Sequence, residues 1–321
     1  MDLKQLEYIV TIAESSSVSD AAQRLFISQS GLNQQLVKLE RDLGVQLFER
    51  GKRHFHITRA GEIYVQNARE ILKIKRNTYA ELSEIRNDMS GEISLGLTHE
   101  HGIDIFTGIY PEFHEKYPGI RFHLLEQMVA EQERLIQDGR LDCGILMMDE
   151  NRETNFEMEL LYCEDLVLGL PLSHPAAKYA APWGEVPTVI DLRYFKEDTF
   201  SLIFASSTMR EVLDPFFERA GFVPKILIET AMNHALVQMV SRGFCCTVLP
   251  HSRILANPIA KNCAWFRIKG NPHWGVYLAR RPNTRMSAAY RYLHELAIRY
   301  GEIVEQQFRL DEAGEVVEPM L

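Results

Sequence analysis

Apolar positions in the first ninety residues recur at helical spacing. Leu3, Leu6, Ile9, Val10 and Ala13 form a stripe every three or four residues, and the run Ser15-Ser16-Ser17, a poor helix interior, ends it. Ala21, Ala22 and Leu25 mark a short second helix, capped by Ser17 or Ser19. Ser28 is a natural N-cap for a third helix that places Leu32, Leu36, Leu39 and Leu43 on one side and stops at Gly44. Short helix, tight connection, long helix is the spacing of a helix-turn-helix. Val45-Gln46-Leu47-Phe48 and Phe55-His56-Ile57 then read as two strands of a wing, joined across Gly51 to His54. Thr58 caps a fourth helix that runs to roughly Arg86, with Tyr64, Ala68, Ile71, Lys75, Thr78, Leu82 and Ile85 in a seam. A long seamed helix belonging to neither flanking core is predicted to pair with a second copy.

From Glu92 the period changes. Ile93, Leu95 and Leu97 alternate with small or polar residues, a strand. A helix over 104–116, a strand from "YPGIRFHLL", a helix from "EQERLIQDG" and a strand from "LDCGILMM" follow. This β-α-β-α-β order predicts parallel pairing and an α/β domain. A second set has strands at 165–170, 201–204, 225–229 and 245–249, with helices at 208–220 and 233–242. The strand "HWGVYLA" and a helix over 287–300 return to the first lobe, and the acidic end is expected to fray.

Charge changes the picture. The chain of 321 residues has a net charge of −9, yet residues 1–90 hold 13 Lys and Arg against 12 Asp and Glu, a net of +1. Any contact with phosphate must therefore come from a few local cations. With its leucines inward, the third helix turns Ser30, Gln34, Val37 and Arg41 outward, flanked by Gln29 and Asn33 at its N-terminal end. Residues there meet base edges in the major groove, and Gln and Asn pair bidentately with adenine. Arg50, Lys52 and Arg53 supply wing cations for phosphate or the minor groove. Five cysteines, odd in number and without CxxC spacing, point to reduced thiols in a cytoplasm. The charged start is not a secretion signal, and no apolar run approaches a bilayer span.

"SVSDAAQRLFISQSGLNQQLVKLERDLGVQLFER" followed by "ITRAGE" resembles the DNA-binding segment of LysR-type transcriptional regulators nearly position by position. The resemblance continues through "FHEKYPGI", "GRLDCGI", "LSHP", "GFVPKI" and "GFCCTVLP", leaving out only the last 20 or so residues. It implies an N-terminal, mainly α winged helix-turn-helix over 1–58 and a linker and dimerisation helix over 59–90. A two-lobed α/β effector-binding domain of periplasmic-binding-protein type then fills 91–305, with lobe I about 91–162 and 268–305 and lobe II about 163–267. Residues 306–321 remain as an acidic, flexible tail. The implied partners are double-stranded DNA with an interrupted inverted repeat in a promoter region, a small-molecule effector, and the chain itself as dimer or tetramer. DNA contacts fall to Ser28, Gln29, Ser30, Asn33, Gln34, Lys38, Arg50, Lys52 and Arg53. Gly31, Asn33 and Gln34 depart from the usual residues and bear on base preference.

The effector is expected between the lobes, at strand C-termini and helix N-termini. The resemblance places its contacts at Thr98, His99, Glu100, Gln127, Met128, Ser206, Ser207, Thr208 and Asn233. Free N–H groups there favour an anion, and Glu100 as the one acid suggests a ligand that also carries a cation. A carboxylate or amino-acid-like metabolite fits. His99 and His101 on one turn are poor joint chelators, so neither metal nor cofactor is expected. No G-x-S-x-G, P-loop or H-E-x-x-H occurs, so no catalytic residue is assigned and an enzyme is not expected. Two alternatives stand beside this reading: a thiol switch at Cys245 and Cys246, and a small-molecule-binding protein without a DNA role.

Overall fold

The computed structural model of the chain describes residues 2–50, 55–85, 90–284, 286–308, 310 and 316–317. In the head, Asp2 opens α1 (Leu3–Ala13) with a capping box to Gln5. Ser17 caps α2 (Val18–Arg24) by accepting from Asp20 N–H, and Ser28 caps α3 (Gln29–Leu43) by accepting from Gly31 N–H. Gly44 closes α3 in the left-handed region at φ 71°. Ile9, Ile12, Ala21, Leu32, Leu36 and Leu39 bury one small core between the three helices.

The wing pairs β1 (Phe48–Arg50) with β2 (Phe55–Ile57), Phe48 opposite Ile57. Its first strand starts at Phe48, not at Val45, because the preceding backbone is engaged elsewhere. Glu40 accepts the Leu47 and Phe48 N–H groups at 2.8 and 3.1 Å, and Thr58 donates to the carbonyls of Gln46 and Leu47. Thr58 also caps α4 (Arg59–Ile85), and a side chain at Gly61 would meet the Leu47 carbonyl at 2.1 Å.

The predicted seam of α4 divides in two. Its first half belongs to the head: Val65, Ala68 and Leu72 are buried, with Tyr64 and Ile71 packed beside Leu6. The expectation that α4 stands outside both cores is corrected here, since α1 offers the complementary apolar stripe. Lys75 pairs with Glu7 at 2.9 Å, while Ile74, Tyr79 and Leu82 are exposed. An open apolar cleft of about 350 Å³ lies against the first half of α4, lined by Leu43, Val45, Ile63 and Ile71 among others.

The remaining elements are β3 (Ser90–Leu97), α5 (His101–Lys116), β4 (Gly119–Glu126), α6 (Val129–Gln137), β5 (Cys143–Met148) and β6 (Glu157–Pro171). They continue as β7 (Val189–Ile190), β8 (Thr199–Leu202), α7 (Thr208–Arg219), β9 (Lys225–Glu229), α8 (Asn233–Ser241), β10 (Thr247–Pro250) and α9 (His251–Leu255). The last are β11 (Cys263–Ile268), β12 (His273–Arg280), α10 (Ala288–Phe308) and β13 (Val316–Val317). The main sheet runs β13-β7-β11-β6-β12-β5-β3-β4, with β10 also on β6. β8 and β9 pair in parallel, and Phe200 bridges to Cys246.

Strand β6 is longer than its apolar core over 165–170 predicts, and it serves both lobes. Residues 157–165 pair with β12, whereas 166–171 pair with β10 and β11. β11, which the sequence reading passes over, brings the chain back through a turn at Asn271 into β12. The two passages are tied together: Asn271 donates to Asp165 at 2.9 Å and Leu166 N–H to the Pro272 carbonyl at 2.8 Å.

At this crossing Glu164 is buried. It accepts from Ser252 N–H at 3.0 Å and Trp274 Nε1 at 3.2 Å, and lies 3.0 Å from His101 Nε2. Burial pushes its carboxyl up; attraction to His101 and the hydrogen bonds from His101, Ser252 and Trp274 outweigh this and hold it at about 2.

The stretch 306–321, expected to fray, is placed at its described residues. α10 extends through Phe308, Leu310 is buried in the lobe II cluster, and Val316–Val317 pair in parallel with β7. The edge hydrogen-bonding groups of β7 and an apolar recess at Leu310 give this segment something to bind.

Ion pairs dock the head and α4 on the α/β domain. Glu14 lies 3.2 Å from Arg69 and 3.3 Å from Arg140, Lys73 lies 3.5 Å from Asp142, Arg69 lies 3.9 Å from Asp138, and Glu70 pairs with Arg281. Burial lowers the Lys73 pKa, with Asp142 opposing.

Two outcomes are expected. The Glu164 pKa is depressed below the free value of about 4.3, so its stabilisation is full above that value and is lost as pH falls toward the folded-state value. Glu164→Gln should cost about 3 kcal/mol at neutral pH and flatten the acid loss, read from denaturant midpoints across pH. An unchanged neutral midpoint would refute this. Phe26, 95% exposed in the turn before α3, has φ 53°. Phe26→Asn should therefore raise the stability of the chain by roughly 1 kcal/mol in the same measurement, and a loss would contradict the strain.

Candidate DNA-binding surface and effector cleft

Helix α3 separates its two faces sharply. Leu32 and Leu36 are fully buried, while Ser28, Gln29, Ser30, Gln34, Val37, Lys38 and Arg41 are exposed and Asn33 is half-buried. Ser28 Oγ accepts from Gly31 N–H in the helix cap, and the amides of Gln29, Asn33 and Gln34 lie on the N-terminal face. Arg50 ends β1; its side chain, with Lys52 and Arg53, lies outside the described residues. The residue that sequence reasoning missed is Glu40, which fixes the wing to α3. Its partners lie seven and eight positions further on, so no local period reveals it.

The expected cleft positions gather at the C-terminal ends of β3, β4 and β8. Thr98 donates to the Met147 sulfur at 3.2 Å, His99 contacts Glu126, and Gln127 N–H donates to the Leu97 carbonyl at 2.9 Å. Met128 precedes α6 without a side-chain cap and is exposed. His99 and His101 bind different carboxylates, Glu126 and Glu164. Among the described residues no group of three His, Cys, Asp or Glu is placed to hold a metal ion.

On lobe II, Ser207 caps α7 by accepting from Arg210 N–H. Arg210 is buried, with its guanidinium on Asp214 at 2.6 Å and Glu229 at 3.0 Å. Thr208 starts the helix half-buried, and Ser206 is exposed. Ser207 is thus a structural cap and Ser206 the open hydroxyl of the pair.

Glu100 departs from its expected role. Its carboxylate is not free for a ligand's cation but crosses to lobe II, accepting from Asn233 N–H at 3.2 Å and Asn233 Nδ2 at 2.8 Å. Four positions on, Asp104 binds Arg253 of α9 at 2.5 Å. Together with His101 on Glu164, three residues at the start of α5 make four bonds to the crossing or the opposite lobe. Two residues of this clamp, Asp104 and Arg253, escaped the sequence reading because their pairing spans 149 positions.

Cys245 and Cys246 precede β10 and face different clusters, Cys245 the outer lobe II cluster and Cys246 the main core. Burial raises both thiols, Cys246 strongly. Neither geometry nor thiolate content favours a switch there.

Residues 3–62 match the bacterial regulatory helix-turn-helix proteins of the lysR family, and residues 86–301 match the LysR substrate binding domain. The DNA-binding transcriptional dual regulator OxyR of Escherichia coli K12 is 28% identical over 296 residues, covering 92% of this chain and 94% of that one. The transcriptional regulator BsdA of Bacillus subtilis 168 is 26% identical over 255 residues, 79% of this chain and 85% of its own. Among solved structures, a full-length OxyR from Pseudomonas aeruginosa superposes with a TM-score of 0.70 at 22% identity, covering 94% and 95% of the two chains. Full-length CbnR in complex with its target DNA superposes at 0.59 with 24% identity, covering 94% and 100%. The chain belongs to the LysR family and is a DNA-binding transcriptional regulator with an effector-binding domain.

Proposed function

We propose that this regulator reads an interrupted inverted repeat as a dimer or tetramer, with the N-terminal face of α3 in the major groove of each half-site. The observation that carries this is the contrast within α3 between buried leucines and an exposed row of Ser30, Gln34, Val37 and Lys38 beside Gln29 and Asn33. The reader residues are Gln29, Ser30, Asn33 and Gln34; Ser28, Lys38, Arg50, Lys52 and Arg53 hold phosphate. CbnR, which shares this fold, was solved in complex with its target DNA, which supports DNA binding by such a head.

The functional division follows the chain: head over 1–58, linker helix over 59–90, effector domain over 91–305. Dimerisation uses the second half of α4, where Ile74, Tyr79 and Leu82 are exposed. The effector is a small carboxylate or amino-acid-like metabolite held between Thr98, Gln127 and Met128 on one lobe and Ser206, Thr208 and Asn233 on the other. The protein acts in the cytoplasm and needs neither cofactor nor catalytic group. Among the described residues no helix is long and apolar enough to cross a membrane.

Gln29→Ala or Asn33→Ala should weaken operator binding by about 1–3 kcal/mol and relax the preference at one position per half-site. Lys38→Ala should instead weaken binding to every sequence and reduce the salt slope by about 1. Titrations against operator and random duplexes at several salt concentrations separate the two; equal losses for Gln29→Ala remove it as a reader. For assembly, Leu82→Glu in the full chain should raise the dimer dissociation constant by tenfold or more, about 1.4 kcal/mol, in sedimentation velocity. An unchanged distribution would place the interface elsewhere.

A further inference from the structure

Glu100 stands out on two independent grounds. Its backbone, at φ 64° and ψ −71°, forms a γ-turn closed by His101 N–H on the His99 carbonyl at 2.9 Å. This is the strained hand of that turn, and such strain persists only where surrounding contacts hold it. Its carboxylate takes both donors at the start of α8, the Asn233 N–H and Nδ2. Those donors sit at a helix N-terminus, where backbone N–H groups and the helix dipole favour an anion. Asn233 is 7% exposed, and its remaining polar atom, the buried Oδ1, has no hydrogen-bond partner.

The geometry points to a self-occupied anion subsite: Glu100 is a tethered stand-in for the effector's carboxylate, and the effector displaces it. The proposal rests on the cleft reading above and sharpens the ligand class. A carboxylate accepts hydrogen bonds but donates none, so Glu100 satisfies two of the three polar groups of Asn233 and leaves Oδ1 bare. A ligand carrying a carboxylate and a donor on the adjacent carbon, a 2-hydroxy or 2-amino acid, satisfies all three. Two carboxylates cannot share the same pair of donors without repulsion, so entry of the ligand expels Glu100 and opens the cross-lobe bond. Expulsion also lets the γ-turn relax, which moves the first turn of α5 and with it the Asp104–Arg253 pair. The subsite therefore couples ligand chemistry to the angle between the lobes.

Propionate carries the methylene and carboxylate that Glu100→Ala removes and shares the carbon skeleton of lactate and alanine, so it is the reference probe for the vacated place. Melting curves of the full chain are taken in propionate, lactate and alanine against chloride at equal ionic strength. Glu100→Ala should melt about 3 °C below wild type, and propionate should restore this saturably at concentrations at least tenfold lower than any effect on wild type. Lactate and alanine should act several-fold below propionate, and Glu100→Ala combined with Asn233→Ala should respond to none of them. Glu100→Gln, which keeps side-chain length, guards against a folding defect and should respond between wild type and Glu100→Ala. Equal responses of wild type and both single variants, or a response surviving in the double variant, would overturn the subsite. Equal potency of propionate and lactate would overturn the donor requirement. DNA retention by the same wild-type sample reads the regulator assignment separately: DNA binding without a carboxylate response defeats only this proposal, and the reverse defeats only that reading.

Discussion

The carboxylate of Glu164 is buried where β6 leaves one lobe for the other, and the two-lobed domain is organised around it. An ionised group in that position is tolerable only if every lone pair is used. The donors come from three directions: His101 from α5, Ser252 N–H from α9 and Trp274 from β12. Each belongs to a different part of the domain, so satisfying one charge fixes α5, α9 and both crossing strands relative to one another. The sheet adds to this, since the same strand pairs with β12 before the crossing and with β10 and β11 after it. The cleft can change its angle only by working against this point, which makes the lighter bonds of Glu100 and Asp104, further from it, the adjustable ones.

Geometry also connects the cleft with the DNA-binding head. Helix α6 starts after Met128, at the cleft, and ends at Asp138, which faces Arg69 of α4 at 3.9 Å. Its middle is anchored by Gln132, fully buried and bonded to the Gln127 carbonyl at 2.9 Å. Arg140 and Asp142, just beyond, reach Glu14 at the end of α1 and Lys73 of α4. A short rigid helix thus has one end at the proposed effector cleft and the other in a partly buried set of charges that holds the linker and head. Since α4 is packed into the head through Val65, Ala68 and Leu72, a shift there is shared with α3.

Much of the DNA-binding end was legible from residue order alone. Caps at Ser17, Ser28 and Thr58, the stop at Gly44 and the leucine period of α3 are local devices, set by neighbours within four positions, and the structure places them where the pattern does. The exposed amides of α3 follow from the same period. The wing strand was less legible, since Val45 to Leu47 alternate like a strand but the backbone of Gln46 and Leu47 is bonded to Glu40 and Thr58. The seam of α4 was misjudged for a related reason. Periodicity reports that one face is apolar, not which of two surfaces, the chain's own head or a second copy, covers it.

The sequence by itself determined the helices of the head, most elements of the α/β domain and the family, because these follow from short-range periodicity, caps and a specific motif. Tertiary structure alone decided the roles of the charged residues in the effector domain. Glu100, Asp104, Glu164 and Arg253 look alike in the sequence as polar residues near element ends; folding gives them partners 133, 149 or 88 positions away. A carboxylate's function depends on which donors surround it and how much water is removed. Both are properties of the closed core, where distant segments meet, and no local pattern records them.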